Sequence, residues 1–351
     1  MMNSDLFLFY SEGHQAHFER GHPERPERVE TIRKALETAG WWETAQKVAP
    51  LSLEDDFLAR VHSPEYLNML RAYCQAGERL DSDTYTTPAS WDLARQAAAG
   101  AVSVAAAVWD QPDGITRRGF ALTRPPGHHA TSIRGMGFCL INNVAVAAEY
   151  LLSQNIGSSA NPRRLAILDL DLHHGNGTQN IFWRRPDVFY ISTHQAPFYP
   201  GSGHLEEIGA GAGEGYTANI PLPAGTGDLG FRVVVDEVII PLLNRYQPEM
   251  LLVSYGFDTH WRDPLGSLLL SATGYANLIK SLVRWADVNC NGRVALILEG
   301  GYDLMAAAYT TLGVTAELLD QPWDDALGRS PYQENDGWRL VVRSAQAIWN
   351  L

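Results

Sequence analysis

Short apolar runs alternate along this chain with longer stretches of helical period. The runs at 6–10, 119–122, 165–170, 188–192, 250–254 and 294–298 are brief and strongly apolar, and they read as strands. Between them, 26–39 sets Val29, Ile32 and Leu36 on one helical face and 90–108 is rich in alanine. Helical spacing returns at 142–153, 231–246 and 273–286, with Pro241 inside the second of these. Apolar strands alternating with amphipathic helices predict an α/β fold, its mostly parallel sheet covered on both faces. The span 196–227 interrupts the alternation with two Pro/Gly/Ser-rich clusters. Apolar strands flank it, so it reads as a long surface excursion inside the domain. No repeat, low-complexity tract or linker divides the chain, and 1–351 is expected to be a single domain.

The polar motifs are placed with the same regularity: each follows the carboxyl end of an expected strand. Thr123-Arg-Pro-Pro-Gly-His128-His129 follows 119–122, and Asp171-Leu-His173-His174 follows 165–170. Ser192-Thr-His194, Tyr255-Gly-Phe-Asp258 and Glu299-Gly-Gly-Tyr302 follow the next three. Ligands bind at the carboxyl ends of strands in open α/β sheets, so these loops are expected to share one rim. Buried strands do not tolerate unpartnered carboxylates. Asp171 and His173, joined by Asp258, therefore suggest a catalytic metal site, with Zn²⁺ preferred and Fe²⁺, Mn²⁺ or Co²⁺ able to occupy it. A buried ion pair or a capped loop is the bland reading. His128 and His129, aimed by the preceding Pro-Pro-Gly, can divide general base and electrostatic roles, or can be core histidines. Tyr302 after two glycines can stabilise an oxyanion, although tyrosines in such places often only pack. Asp169 lies too deep in its strand for the metal. It can orient a histidine or, with Ser192 Oγ and main-chain carbonyls, hold a monovalent cation.

Composition narrows the field. The net charge of -13 argues against nucleic-acid or anionic-membrane partners, and it permits cationic substrates without demanding them. No apolar stretch reaches membrane-spanning length, and the start of the chain lacks a secretory pattern. Three cysteines without paired spacing fit a reducing compartment, and the expected location is cytoplasmic.

Taken in order, the motifs resemble those of the histone deacetylase superfamily, including bacterial deacetylase-like amidohydrolases. The resemblance rests on Gly21-His-Pro-Glu-Arg-Pro-Glu-Arg28, Val61-His-Ser-Pro-Glu-Tyr66, Arg124-Pro-Pro-Gly-His-His129 and Gly137-Phe-Cys-Leu-Ile-Asn-Asn143. It continues through Asp169-Leu-Asp-Leu-His-His-Gly-Asn-Gly-Thr-Gln179, Phe198-Tyr-Pro-Gly-Ser-Gly203, Gly256-Phe-Asp258 with Asp263-Pro-Leu-Gly266, and Glu299-Gly-Gly-Tyr302. Asn176 and the Gly-His-Pro-Glu start are closer to the class II branch. The resemblance implies an arginase/deacetylase-like sheet of about eight strands. It implies one Zn²⁺ held by Asp171, His173 and Asp258. His129 would be general base and then acid, oriented by Asn176. His128, paired with Asp169, would tune electrostatics, and Tyr302 would polarise the scissile carbonyl. Gly137, Phe138 and Tyr199 would line an acyl-lysine channel with Leu265 at its rim. A K⁺ site would use Asp169, Asp171, His173, Ser192 and Thr193, and a second would use Phe182, Arg185, Val188 and Tyr216. His174 is expected to point away from the metal and support its loop.

The implied activity is metal-dependent hydrolysis of acetyl or other short acyl groups from the ε-amine of lysine or a similar amine, on a peptide, a protein or a small molecule. An acetylpolyamine amidohydrolase is the alternative within the family, although Leu265 stands where polyamine-selective relatives can place an acid. A binuclear ureohydrolase would need more bridging carboxylates. A metal-dependent acyl-binding protein would not need His128, His129 and Tyr302 together. A homo-oligomer is open, with 196–227 and the N-terminal segment as candidate contact surfaces.

Overall fold

A computed structural model describes residues 5–110, 117–153 and 164–351. The apolar runs form strands β1 (Asp5–Tyr10), β3 (Arg117–Leu122), β4 (Leu165–Asp169), β5 (Val188–Gln195), β7 (Met250–Tyr255) and β8 (Val294–Leu298). Two further strands, β2 (Gln46–Lys47) and β6 (Thr217–Leu222), close the edges. Their order is β2-β1-β3-β8-β7-β4-β5-β6, and every neighbouring pair is parallel. The parallel arrangement explains the sequence pattern. In β4 every residue is buried, with Leu165 and Ile167 entering one core while Ala166 and Leu168 enter the other. A strand buried on both faces reads as a continuous apolar run. One core packs helices Pro64–Ala76, Ser90–Trp109 and Asn143–Ser153 against the sheet. The other packs Glu27–Thr38, Ala272–Asn289, Leu304–Leu319 and Trp338–Trp349.

Two expectations change. The 196–227 excursion is not all loop, because it carries edge strand β6, which pairs with β5 from Tyr190↔Thr217 to Gln195↔Leu222. Pro221 sits inside that strand, which only an edge position tolerates, and this is why the segment does not look like a strand. The helix expected over 231–246 is two α-helical segments, Asp228–Val234 and Ile240–Tyr246, joined by a π-helical turn at Val235–Ile239. Pro241 has no N–H for an interior helical bond, and the wider turn just before it absorbs the mismatch.

Strands β3, β8, β7, β4 and β5 are adjacent and parallel. Their carboxyl ends form one rim at the middle of the sheet, where the five polar loops emerge together. No helix among the described residues is long and apolar enough to cross a membrane.

Candidate metal centre and active site

The loop after β4 turns at once, and its first side chains fold back over the strand ends. Asp171 Oδ1 accepts the main-chain N–H of His173 (2.9 Å), and Oδ2 accepts that of Gly300 at the end of β8 (2.8 Å). Asp258, just beyond β7, accepts the N–H of Leu172 through Oδ1 (2.9 Å). His173 Nδ1 lies 3.1 Å from Asp171 Oδ1 and 3.3 Å from Asp258 Oδ2. Side-chain oxygens and nitrogen of the three residues thus lie within 4.8 Å of one another. Asp258 Oδ2 is buried and accepts no well-formed hydrogen bond. A Cβ added at Gly300 would meet Asp258 Oδ2, Asp171 Oδ2 and the Tyr302 hydroxyl. Two buried carboxylates, one imidazole and a bare acceptor fit a divalent cation of borderline hardness.

The adjacent histidines are set in opposite states. Burial alone would push His128 down, but Asp171 and Asp169 outweigh it and raise its pKa to about 10. His128 Nδ1 lies 3.1 Å from Asp169 Oδ2, which also accepts the Tyr190 hydroxyl (3.0 Å). Burial and the neighbouring His128 and His173 hold His129 well below the usual imidazole range. Its Nδ1 is 2.7 Å from Asn176 Oδ1, and Asn176 Nδ2 points to Met136 Sδ. An amide oxygen only accepts, so His129 carries its proton on Nδ1 and presents a bare Nε2.

Tyr302 is buried, and desolvation raises its phenol well above the normal value, so it stays protonated. Its position is imposed by residues that the sequence motifs contain but whose role they do not announce. Asp263 Oδ2 accepts the N–H groups of Tyr302 (2.6 Å) and Asp303 (3.2 Å). Arg28 donates to the carbonyls of Glu299 (2.6 Å) and Gly301 and lies 5.0 Å from the Tyr302 ring centroid. Asp303 caps the following helix through Ala306 N.

The residues expected to line a channel converge as well. Gly137 and Phe138 both adopt positive φ (55° and 69°), and a Cβ at Gly137 would strike His129 and Tyr199. Phe138 stands edge-on to Tyr302 at 5.7 Å, and Tyr199 edge-on to His129 at 5.2 Å. Phe198, not singled out from the sequence, lies 5.5 Å from His173. Phe198 and Tyr199 are 37% and 38% exposed, so the wall opens to solvent. Leu265 is half-buried, its N–H held by Asp263 Oδ1. His174 faces away from the carboxylates, toward Ser202 and Gln179. Ser192 Oγ is spent on His194, and Thr193 Oγ1 donates to the Asp169 carbonyl at 3.4 Å. Around the second expected K⁺ position, Arg185 N bonds the Phe182 carbonyl, and the Arg185 guanidinium pairs with Asp187 and Glu149.

A second cluster, His128, Cys139 and Glu299, also has metal-ligand types close together. Its thiol is pushed well up by burial, and the Glu299 carboxylate already accepts the N–H groups of Gly127 and His128. It is a packed hydrogen-bonded cluster and not a cage.

The histone deacetylase domain family matches residues 22–318, most of the chain. The chain belongs to the histone deacetylase family. Its similarity to individual members is consistent with this. A probable deacetylase from Archaeoglobus fulgidus is 43% identical over 302 residues, spanning 85% of this chain and 81% of that protein. A histone deacetylase-like amidohydrolase from Pseudomonas aeruginosa is 34% identical over 300 residues, 85% of this chain and 77% of its own length. The crystal structure of the HDA15 HD domain superposes with a TM-score of 0.86 at 33% identity, covering 99% of this chain and 94% of that one. The eight-stranded parallel sheet is accordingly the arginase/deacetylase fold.

Proposed function

We propose that the chain is a zinc-dependent deacylase, acting as one catalytic domain on acetyl or short acyl groups carried by the ε-amine of lysine or a similar amine. One observation carries this reading. The bare, buried Asp258 Oδ2 lies beside Asp171 and His173, on the same rim as a neutral His129 and a protonated Tyr302. In this reading Asp171, His173 and Asp258 hold Zn²⁺. Once bound, the ion supplies Lewis acidity to the amide carbonyl and lowers the pKa of water.

The remaining chemistry belongs to the chain. His129 Nε2 takes the proton of the attacking water and later returns it to the departing amine. Asn176 keeps that imidazole in the productive tautomer. The Tyr302 hydroxyl donates to the oxyanion as the carbonyl becomes tetrahedral. His128, paired with Asp169, tunes the electrostatics beneath the site. Gly137, Phe138 and Tyr199 form the walls along the alkyl chain, and Leu265 lies at the mouth. Asp169, Ser192 and Thr193 support a K⁺ ion largely through main-chain oxygens, and the Ser192 and Thr193 hydroxyls, which donate within the protein, keep their lone pairs. The substrate is an acylated peptide, protein or small amine met in the cytoplasm, and neither nucleic acid nor membrane takes part.

The test is a panel of acyl-lysine peptides of graded acyl length, with acetylputrescine alongside, assayed with zinc-loaded protein in potassium buffer. Turnover of acyl-lysine that disappears in His129→Ala at unchanged zinc content is the expected result. A wild-type protein that cleaves none of these amides sinks the reading. Preference for acetylputrescine moves the substrate to polyamines.

A further inference from the structure

Glu299 is fully buried and takes no part in the chemistry outlined above, yet every polar group it owns is engaged. Its N–H donates to the Tyr255 carbonyl at the end of β7 (2.8 Å). Its carbonyl accepts from Arg28 Nη2 (2.6 Å). One carboxylate oxygen, Oε2, accepts the main-chain N–H groups of Gly127 (2.7 Å) and His128 (3.1 Å), and Oε1 accepts the Ser254 hydroxyl (3.3 Å). Three strand-end loops meet at this residue: the β3 loop that carries the histidine pair, the β7 loop that leads to Asp258, and its own β8 loop that leads to Tyr302. Burying a carboxylate is costly unless its acceptors are satisfied. Here they are satisfied by the turn that aims His128 and His129.

We propose that Glu299 is a positioning residue, setting the main chain of the His128–His129 turn at a fixed distance from Tyr302. The proposal rests on the reading of these three residues as the proton-transfer and oxyanion set. The role is geometric and does not need the negative charge. A glutamine keeps an acceptor at the Oε2 position for both N–H groups, while its NH₂ can donate to Ser254 Oγ after that hydroxyl turns. Alanine leaves two buried N–H groups without a partner. Aspartate is one methylene too short to reach them. His129 lies one residue from the anchored turn, and a displacement of about 1 Å in a catalytic group can cost roughly 100-fold in rate.

The test compares Glu299→Gln, Glu299→Asp and Glu299→Ala in the zinc-loaded enzyme, reading kcat, KM and zinc content. Hydrogen exchange at the Gly127 and His128 amides is followed in parallel. Glu299→Gln is expected to stay within about threefold of wild-type kcat with both amides protected. Glu299→Asp and Glu299→Ala are expected to lose about 10- to 100-fold in kcat, with KM and zinc unchanged and the amides exposed. If Glu299→Ala does not fold, the contrast between glutamine and aspartate carries the same information. Glutamine as damaging as alanine or aspartate overturns the proposal, because charge would then be the requirement. Wild-type kcat in Glu299→Ala, or in Glu299→Asp, overturns it as well. A wild-type enzyme without deacylase activity breaks the functional reading instead, and the amide protection pattern still tests the anchor.

Discussion

Two buried charged clusters lie close together in this molecule, and they are built to opposite rules. Glu24, Arg28 and Arg124 form the first, and all three are fully buried. Glu24 Oε1 accepts from Arg124 Nε (2.6 Å) and Arg28 Nη1 (3.0 Å), and Oε2 accepts from Arg124 Nη2 (2.9 Å). The remaining donors reach the carbonyls of His14, Glu299 and Gly301. No buried side-chain atom of the three is left unsatisfied. The second cluster, Asp171, His173 and Asp258, has two carboxylates to one imidazole, and one of its oxygens is bare. Burial and the Asp171 charge both push Asp258 upward, so the pair resists full ionisation. A cluster that closes on itself is a staple, whereas one that leaves repulsion and an empty acceptor is prepared for a cation. Buried charge is therefore informative only after its partners are counted.

Removing Asp258 tests the open cluster most severely. Asp258→Ala should lose stoichiometric zinc and roughly a thousandfold or more of the turnover, because the Lewis acid goes with it. The metal-free variant should nevertheless unfold close to the temperature of metal-free wild type, since relief of the Asp171–Asp258 repulsion offsets the Leu172 N–H bond and the His173 contact that are lost. Zinc retained by metal analysis, or a marked loss of stability in the metal-free variant, would break the distinction. Removing Arg124 tests the closed cluster. Arg124→Leu leaves Glu24 with one guanidinium and should cost about 3–5 kcal/mol in urea unfolding. A loss under about 1 kcal/mol would put this cluster with weak surface pairs.

Much of this contrast can be read in the sequence, and the reason is chemical. Asp171, His173 and Asp258 stand out because acids and histidines at strand ends have few bland explanations, and the alternation of runs places those ends on one rim. Glu24 and Arg28 stand four residues apart, but their further partners, Arg124 and the Glu299 carbonyl, lie 100 residues or more away along the chain. Spacing along the sequence does not encode that. Asp263 and Glu299 are hidden for the same reason, because they bond main-chain N–H groups that any residue could supply. Strand β6 escapes notice through Pro221, and Phe198 is overshadowed by Tyr199 in the same motif.

Tyr302 spans the two clusters, with Arg28 beside its ring and its hydroxyl turned to the bare acceptor side. Tyr302→Phe separates these functions. The ring contact survives, so zinc content and unfolding temperature should not change. Loss of one oxyanion donor should lower kcat by about 100- to 1000-fold. A drop in stability of the size expected for Arg124→Leu would instead make Tyr302 part of the staple.

The smallest effect concerns pH, and the two clusters should respond to it in opposite directions. Beside the closed cluster, burial and Arg124 lower His14 to about 4, and burial chiefly lowers His17 to about 3. Both are neutral in the fold while the unfolded chain binds protons near pH 6.5. Their contribution is complete above that value and drains away as pH falls toward 4 and 3. Glu24, held near 2 against its burial by Arg124 and Arg28, extends the same trend from the usual carboxylate range downward. In the metal-free open cluster, Asp171 and Asp258 overcome burial and raise His173 to about 9. Its contribution is complete below pH 6.5 and is lost as pH rises through 9. Metal-free protein should thus weaken on both flanks in unfolding titrations. Zinc requires a deprotonated His173, so loading should remove that residue's share of the alkaline loss and leave the acid side of His14 and His17 in place. An alkaline loss of undiminished size in fully loaded protein would mean that His128, raised to about 10, carries it, and that His173 is not the residue zinc displaces a proton from.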